Sequence, residues 1–342
     1  MLDVAVFNYN GASTLPSTLE TLSRSEGVQL GTIYVVDDGS TDDSPQLARK
    51  FPNVEVITLP ENTGNINFVR NTGLGAGSSD RILLTDNDVE FTPQCLARLN
   101  ATIDETGAVA VTPRLLFSDD RSRIYADGTR FHYLCAAAAL NRNEPAAEAT
   151  MALPPERTFT CGILLVDRTT LPDDVRFDES LPFSWGTDGE FYLRLAFMGY
   201  QCVHEPRAVA YHHAKARQLE KAEGHISTRW RLILTYYRWR TLVVLAPALA
   251  LYELGAMAFF IAKRRPGVYF RYMSDSLRSL PDTLRTRRAI QALRRTTDRS
   301  LMCADPIYVA PHLLDRRLLR VGLSFLNRAL SGYWKVVKPV VG

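Results

Sequence analysis

The chain has 342 residues, enough for about two domains, and its 46% hydrophobic and 23% charged residues are ordinary for a globular protein. This composition excludes a disordered, collagen-like or disulfide-scaffold protein. The net charge of +3 conceals an asymmetry. Residues 1–262 contain 23 Lys and Arg against 32 Asp and Glu (net −9), whereas residues 263–342 contain 17 against five (net +12). An acidic body therefore precedes a basic tail.

The five cysteines are scattered along the chain without CxxC spacing. They indicate neither a disulfide framework nor a zinc cluster, and a reducing cytoplasmic compartment fits them best. No basic and apolar leader precedes the first predicted strand, Val4–Phe7, so we expect this part of the chain to stay in the cytoplasm.

The first two hundred residues alternate short apolar runs with helix-length segments, which is typical of βαβ units around a mostly parallel sheet. The predicted strands are Val4–Phe7, Thr32–Val36, Val54–Thr58, Arg81–Thr85 and Ala108–Thr112. Further along, the pattern predicts a buried strand at Thr158–Val166, an amphipathic helix at Phe191–Met198 and a last strand at Val209–His212. These elements predict an α/β fold whose ligand binds outside the carboxyl ends of the strands.

Polar loops follow four of the predicted strands. They are Asn8–Gly11, Asp37–Asp42, Glu61–Asn65 and Asp86–Asp88. Each loop taken singly is explained by turn formation, since Asn, Asp and Gly are good turn residues. Four such loops at one edge of a sheet favour a polar ligand site, because turn formation does not require clustered carboxylates that repel one another.

Asp86 and Asp88 form the most informative short motif. One carboxylate can bind a hard cation such as Mg²⁺ directly, while the other holds a metal-bound water or a sugar hydroxyl. Asp-x-Asp is common by chance, so its position directly after an apolar strand gives the motif its value.

Five motifs follow one another in residues 2–215. They are VAVFNYNGA (4–12), VVDDGSTDDS (35–44), ENTGNINFVRNTGL (61–74), LLTDNDVEF (83–91) and WGTDGEFYLRLAFMGYQCVHEPRAVAYHH (185–213). In this order they resemble the family 2 glycosyltransferases, and the residues of the first and third motifs are similar to those of rhamnosyltransferase-like members. The resemblance implies a GT-A fold and a nucleotide diphosphate donor, a UDP- or dTDP-sugar.

The resemblance also implies a donor site and a metal site. The donor nucleotide site would comprise Asn8, Asn10, Asp37, Asp38, Arg70, Asn71 and Asp86. Within it, Asp37 and Asp38 would lie by the base and ribose, and Arg70 with Asn71 would approach the diphosphate. Mg²⁺ or Mn²⁺ held by Asp86, Asp88 and His212 would neutralise the charge that grows on the leaving diphosphate. For His212 a packing role is the alternative.

Asp188 is the general base that the resemblance implies. It would take the proton of the acceptor hydroxyl as that hydroxyl attacks the anomeric carbon opposite the leaving group, so the product is inverted. Such help is worth about 10²–10⁴ in rate. Relatives usually carry Glu before the base, where this chain has Thr187, which leaves open a shift of the base or of acceptor contacts to Glu190. The alternative role of Asp188 is a helix N-cap.

The acceptor site is predicted at five positions, namely Cys161, Gly162, Trp185, Thr187 and Glu190. Gly162 suits a close backbone approach to the acceptor sugar, whereas Cys161 is expected to be a small buried residue.

The longest apolar run, Thr241–Ala262, is 22 residues long, enough to span a membrane as a helix. Basic residues flank both of its ends, which disfavours a single span and favours a re-entrant or interfacial helix. Trp and Tyr residues interleave with the arginines before it, as at a lipid headgroup boundary. The alternatives are a true span, a buried helical hairpin and a homo-oligomer interface. Nucleic-acid binding is not expected, because no recognition motif accompanies the basic tail.

The sequence therefore predicts a catalytic domain at residues 1–224 and a helical region at residues 225–342 associated with the anionic, cytoplasmic face of the cell membrane. The predicted activity is metal-assisted, inverting sugar transfer to a lipid-linked or polysaccharide acceptor in cell envelope polysaccharide biosynthesis. Two alternatives stay open. A nucleotidyltransferase would need a basic residue in the loop Asn8–Gly11, which has none. A catalytically silent membrane scaffold would not need the intact Asp86, Asp88 and Asp188.

Overall fold

A computed structural model of the chain describes residues 1–149, 162–181, 187–213, 225–309, 313–314 and 317–342. Within them the chain forms two compact units. Unit 1 consists of the described residues 1–129, 140–149, 162–181 and 200–213. Unit 2 consists of the described residues 130–139, 187–199 and 225–342. The division therefore does not fall at residue 224 alone, because two segments from the predicted catalytic region belong to unit 2.

The strands of the described residues lie almost entirely in unit 1. In chain order they are β1 (Leu2–Asn8), β2 (Leu30–Asp37), β3 (Val54–Thr58), β4 (Arg81–Asp86), β5 (Val89–Phe91), β6 (Ala110–Phe117), β7 (Ile124–Ala126), β8 (Thr129–Phe131), β9 (Ala137–Ala139), β10 (Leu164–Asp167) and β11 (Cys202–His212). Strands β8 and β9 pair with each other, and the other nine form one sheet.

The helices divide between the units. In chain order they are α1 (Leu15–Ser23), α2 (Ser44–Ala48), α3 (Ile66–Leu74), α4 (Cys95–Thr106), α5 (Thr187–Phe197), α6 (His225–Tyr236), α7 (Trp239–Ala262), α8 (Pro266–Arg278), α9 (Leu280–Ala292), α10 (Asp298–Leu301) and α11 (Arg317–Val337). The first four belong to unit 1 and the others to unit 2.

The sheet of unit 1 has the order β3-β2-β1-β4-β10-β6-β11-β5, with β7 paired to β6. Strands β3, β2, β1 and β4 are parallel. Strand β10 runs antiparallel to both of its neighbours, and β5 runs antiparallel to β11. The predicted α/β class is confirmed, and the antiparallel strands make the sheet mixed.

The core of unit 1 explains why β1 lies at the centre of its parallel half. All seven residues of β1 are buried, which matches its continuous apolar run. Helices α1 and α4 bury side chains at every third or fourth residue, and these pack with the β1 valines in one cluster. Because the buried strand β1 ends at Asn8, the polar residues that follow it lie at the edge of the sheet.

Each predicted strand overlaps a strand of the sheet, and three of them differ clearly in extent. The strand expected at Val209–His212 begins seven residues earlier, at Cys202. The strand expected at Ala108–Thr112 begins at Ala110 and continues to Phe117. Of the strand expected at Thr158–Val166, the end lies in β10, and residues 158–161 lie outside the described residues. Strands β5 and β7 were not predicted, because three residues carry too little pattern to identify a strand.

Unit 2 contains the predicted helical region. Helix α7 has a mean hydropathy of 1.9 over its most apolar 18 residues, of which 17% are buried. Within the described residues it is the one helix long and apolar enough to cross a membrane, by length and composition alone. Its apolar surface is therefore largely uncovered by the described residues.

Candidate active site

The carboxyl ends of three neighbouring strands meet at one edge of the unit 1 sheet. Asn8, Asp37 and Asp86 are the last residues of β1, β2 and β4. The parallel register pairs Asn8 with Asp37 and Phe7 with Asp86. Three of the predicted donor-site residues are thus brought together by strand pairing.

Asn8 and Asp37 form a buried bridge between the first two loops. Asn8 Nδ2 donates to Asp37 Oδ1 at 2.7 Å and to Ser44 Oγ at 2.9 Å, and Asn87 Nδ2 donates to Asn8 Oδ1 at 2.7 Å. Asp37 Oδ1 also accepts from Ser40 Oγ at 2.6 Å, and the residue has no exposed surface. Asp37 therefore shapes its loop through these hydrogen bonds, and its direct contact with a nucleotide stays a prediction.

The loop after β2 is hydrogen-bonded to the loops after β1 and β3. Asp38 Oδ1 accepts from the Thr63 backbone N–H at 2.9 Å. Asn10, which has a φ of 50°, accepts at Oδ1 from the Thr41 backbone N–H at 2.8 Å. Gly39 has a φ of 70°, and a Cβ there would lie 2.5 Å from the backbone of Glu61 and Asn62. The loops after β1, β2 and β3 thus hold one another in place.

Asp42 keeps its negative charge within these loops. Burial raises the pKa of Asp42, but hydrogen bonds from Ser44 and from the Ala12 backbone N–H outweigh that effect and hold the pKa below its usual value.

Asp86, Asp88 and His212 form a cluster in which one ligand atom from each lies within 4.8 Å of the others. The Oδ1 atom of Asp88 lies 3.4 Å from His212 Nε2. Asp88 Oδ1 and His212 Nδ1 are both buried, and neither has a hydrogen-bond partner among the described residues. Buried polar atoms normally have partners. An unsatisfied Asp88 oxygen and an unsatisfied imidazole nitrogen, close to the Asp86 carboxylate, fit a divalent cation such as Mg²⁺ or Mn²⁺.

The two adjacent histidines at the end of β11 have different surroundings. His213 Nε2 lies 2.7 Å from Glu90 Oε1 and 3.2 Å from Ser118 Oγ, so its ring is held by side chains of unit 1. His212 packs against the Tyr125 ring at 4.5 Å and reaches Asp88. Because β11 pairs with β5 and sets His212 opposite Val89, the histidine lies beside the Asp-x-Asp motif. His212 both packs and joins the cluster.

Gly162 lies beside the same cluster. A Cβ at Gly162 would be 3.2 Å from Asp86 Oδ2, which is a tight contact, and 3.9 Å from Arg70 Nη2, which is ordinary van der Waals contact. Arg70 is 7% exposed, and its guanidinium lies 5.5 Å from the centroid of the Phe177 ring. The structure therefore brings a predicted acceptor-site residue, Gly162, next to Asp86 and Arg70.

Asn71 belongs to a clamp that the sequence did not predict. Its Nδ2 donates to the Phe177 carbonyl at 2.9 Å and to Glu179 Oε1 at 2.6 Å, and its Oδ1 accepts from the Phe177 backbone N–H at 2.8 Å. Asn65 and Asn67 donate to the carbonyls of Glu179 and Asp178, each at 2.8 Å. The Asn71 amide thus holds residues 177–179, and its contact with the diphosphate stays a prediction.

The remaining predicted residues belong to α5 of unit 2 or lie outside the described residues. Asp188 is in the first turn of α5, which begins at Thr187, so it is not the N-cap, and its Oδ1 accepts from the Gly189 backbone N–H at 3.0 Å. Glu190 is 4% exposed and accepts from Arg194 Nη2 at 3.0 Å and from the Tyr236 hydroxyl. Glu190 is therefore a buried carboxylate with partners in unit 2, and its acceptor contact stays a prediction. Cys161 and Trp185 lie outside the described residues.

Comparison with known proteins identifies the family of this site. Residues 3–164, which run from β1 to the first residue of β10 and contain both aspartates of the cluster, match the family described as "Glycosyl transferase family 2". This segment belongs to glycosyltransferase family 2. The family 2 match ends before α5 and His212, so the roles of Asp188 and His212 stay predictions.

Curated relatives of the chain carry glycosyltransferase names. The succinoglycan biosynthesis protein ExoO of Rhizobium meliloti is 30% identical over 235 residues, which cover 66% of this chain and 62% of the relative. The putative glycosyltransferase EpsH of Bacillus subtilis is 30% identical over 37% of this chain and 40% of the relative. The chain thus matches less than two thirds of the length of these relatives.

Solved structures share the fold. S. aureus TarS 1-349 in complex with UDP-GlcNAc has a TM-score of 0.54 at 16% identity and covers 98% of this chain and 91% of its own. GalNAc-T7 with UDP, GalNAc and Mn²⁺ has a TM-score of 0.55 at 14% identity over 75% of this chain and 51% of its own. At such identities the likeness shows the fold alone, and the predicted GT-A fold is confirmed.

Proposed function

We propose that this chain is a metal-dependent, inverting glycosyltransferase that moves a sugar from a nucleotide diphosphate to a hydroxyl acceptor of a lipid-linked or polysaccharide glycan. The observation that carries the proposal is the cluster of Asp86, Asp88 and His212 at the ligand edge of a family 2 domain, in which the buried Asp88 Oδ1 and His212 Nδ1 lack hydrogen-bond partners among the described residues. A nucleotidyltransferase is disfavoured, because the loop after β1 contains no basic residue.

The donor would bind where the three loops meet. Asp38 and Asn10 are proposed to contact the nucleoside, and Arg70 is proposed to attract the diphosphate through its positive charge. Asn8 and Asp37 would act indirectly, since their hydrogen bonds hold the loop that carries Asp38. The UDP-GlcNAc in the TarS structure makes a UDP-sugar the first donor to test.

A divalent ion would be held by Asp86, Asp88 and His212, and when bound it would supply Lewis-acid stabilisation of the leaving diphosphate. Gly162 would keep room beside Asp86, since a side chain there would crowd the carboxylate. Arg70, which also lies near Gly162, would add positive charge beside Asp86, where negative charge develops on the leaving diphosphate during transfer.

Asp188 is proposed as the general base. In the first turn of α5 its Oδ1 accepts a hydrogen bond from the Gly189 backbone N–H at 3.0 Å, which holds the carboxylate at the start of the helix. Glu190 is engaged by Arg194 and Tyr236, which removes the competing carboxylate of the same turn. Attack by the deprotonated hydroxyl opposite the diphosphate would invert the anomeric carbon.

The decisive experiment measures nucleotide binding and sugar transfer with UDP-, dTDP- and GDP-sugars in Mn²⁺ or Mg²⁺. We expect Asp88→Asn to weaken metal-dependent nucleotide binding. Asp188→Asn should keep that binding and lose about 10²–10⁴ in transfer rate. Asp282→Asn, at an exposed carboxylate of α9, is the control and should change neither. Full activity of Asp188→Asn would refute its role as base, and a wild-type chain that binds no nucleotide would refute the donor site.

We further propose that unit 2 lies on the surface of a membrane. Three exposed apolar residues of α7, Val243 (75%), Leu254 (58%) and Ile261 (53%), are 11 and seven residues apart and so share one face of the helix. Leu318 and Phe325 of α11, seven residues apart, form a second exposed apolar stripe. Basic residues near both helices suit an anionic lipid surface.

Glu253, halfway along α7, favours a surface position over a span. Its carboxylate accepts hydrogen bonds from Arg229 and Trp230 of α6 and from Tyr269 of α8. A spanning α7 would carry this charged group and the helices that bind it into the hydrocarbon, at high cost. A helix lying in the interface keeps them on its polar side.

Flotation of the full chain with vesicles tests the membrane proposal. Leu318→Glu with Phe325→Glu should reduce binding strongly. Gln29→Glu with Lys50→Gln changes the net charge equally at exposed positions of unit 1 and should leave binding nearly unchanged. Equal binding by wild type and the α11 variant would contradict the proposed surface.

A further inference from the structure

A cavity of about 590 Å³ lies within unit 2, where the end of α6, the start of α7 and the middle of α9 meet. The residues that line it are Arg238, Trp239, Leu284, Arg287, Arg288 and Gln291. Three are arginines and none is acidic, so the cavity presents a concentrated positive charge. The proposed transferase chemistry uses none of these residues.

Arg287 is the innermost cation. It is 7% exposed, its Nη1 donates to the carbonyls of Leu234 and Tyr237 at 2.6 and 2.7 Å, and its guanidinium lies 4.2 Å from the centroid of the Trp239 ring. The other nitrogens of this guanidinium have no acceptor in the described part of the chain. Burial, together with the charge of Arg294, lowers the pKa of Arg287 despite the opposing effect of Asp298. An anion would therefore find unused donors here.

The described part of the chain offers the three arginines no carboxylate partner. Neither Arg238, Arg287 nor Arg288 forms an ion pair within the described residues. The nearby Asp298 is already committed, since its Oδ1 accepts from Arg294 at 2.6 Å and its Oδ2 accepts from the backbone N–H of Arg238 at 2.8 Å. A buried cation without a counter-charge is costly, so binding of an anionic group would be favourable.

The wall of the cavity continues into the apolar surface of α7. Trp239, the first residue of α7, is 58% exposed, and Val243, one turn later on the same side, is 75% exposed. A ligand with a negatively charged head and an apolar tail could place its head among the arginines and its tail along this side of α7. A free anion would leave the apolar part of the surface unused.

We propose that this cavity binds the phosphate group of an anionic phospholipid, with Arg238, Arg287 and Arg288 as the phosphate ligands and Trp239 at the headgroup boundary. This inference rests on the proposed membrane association and deepens it, because it replaces diffuse charge attraction by one defined headgroup site.

The test is flotation of the full chain with vesicles of phosphatidylcholine, alone or mixed with phosphatidylglycerol. Arg238→Gln with Arg288→Gln removes two exposed cations of the cavity and keeps Arg287, which supports the backbone. We expect a loss of about 25-fold in partitioning to phosphatidylglycerol vesicles, at about fivefold for each arginine. Nucleotide-sugar hydrolysis without vesicles and the circular dichroism spectrum should be unchanged.

The matched control is Arg271→Gln with Arg299→Gln, which removes two exposed arginines outside the cavity. A smaller loss for this pair than for the cavity pair supports the site, and an equal loss overturns it in favour of diffuse attraction. A different outcome is that inorganic phosphate protects the Trp239 fluorescence from quenching while the chain binds both kinds of vesicle equally. That result would overturn the lipid assignment in favour of a free anion. If the wild type does not bind vesicles at all, the membrane proposal itself fails, and transferase activity is judged separately.

Discussion

Replacing Gly39 by alanine should destabilise unit 1 at the ligand edge of its sheet. Gly39 has a φ of 70°, a left-handed conformation, and a Cβ there would meet the backbone nitrogen of Asn62 and the backbone carbon of Glu61 at 2.5 Å. Neither atom belongs to a flexible side chain. The loop 61–63 must therefore move, and with it the Thr63 N–H that Asp38 holds at 2.9 Å.

The cost has two parts. A left-handed conformation costs a residue with a Cβ about 1–2 kcal/mol, and forcing atoms into an occupied space typically costs another 1–3 kcal/mol. Gly39→Ala should therefore lower the free energy of unfolding by about 2–5 kcal/mol. It should also weaken UDP binding, because the displaced loop carries the partner of Asp38.

Gly64→Ala separates the two parts. Gly64 has a φ of 62°, but the nearest atom to a Cβ there is Asn62 Oδ1 at 3.9 Å, so the conformational cost is present without the clash. Urea denaturation of both variants should show Gly64→Ala losing about 1–2 kcal/mol and Gly39→Ala clearly more. Equal losses in the two variants would refute the reasoning, since the clash would then carry no energy.

Two further predictions concern buried charged and titratable groups. Asp127→Ala should cost about 3–5 kcal/mol of stability, because it leaves buried Arg114 and His204 without the carboxylate they contact at 2.6 and 2.8 Å. The control, Asp282→Asn at an exposed position, should cost under about 1 kcal/mol in urea denaturation. An equally small loss for Asp127→Ala would show that these buried ion pairs do not stabilise the fold. Burial lowers the pKa of His132 to about 3, aided by Arg229 and opposed by Asp305. The unfolded chain therefore binds a proton that the folded chain excludes, and stability should fall by about 2 kcal/mol between pH 6.5 and 5 from this residue alone. His132→Gln should flatten that decline, and an unchanged pH profile would show that another group causes it.

The sequence predicted the parallel half of the sheet because its information is local. A run of apolar residues predicts a buried strand, and the polar residues that follow the run predict a turn. Asn8, Asp37 and Asp86 could be expected at one edge, since parallel strands align their carboxyl ends. The resemblance then suggested that Asp86, Asp88 and His212 share a metal, and the structure places their ligand atoms within 4.8 Å.

The same local information could not tell which polar residues turn inward. Asp37 and Glu190 looked like ligand contacts, yet both are buried and satisfied by partners up to 46 residues away. Asn71 looked like a diphosphate contact, but its amide binds a segment 106 residues further along. Such long-range hydrogen bonds leave no trace in the spacing of residues along the chain.

The sequence by itself determined the α/β class, the polar loops at the sheet edge and the apolar helix with its basic surroundings, because each is a property of neighbouring residues. Tertiary structure alone decided that β5 pairs with β11 and brings His212 to Asp88, and that Glu253 connects the middle of α7 to α6 and α8. It also decided that three arginines line one cavity, where none of them forms an ion pair with a described residue. These features depend on which distant segments pack together, and packing is set by the burial of the whole core.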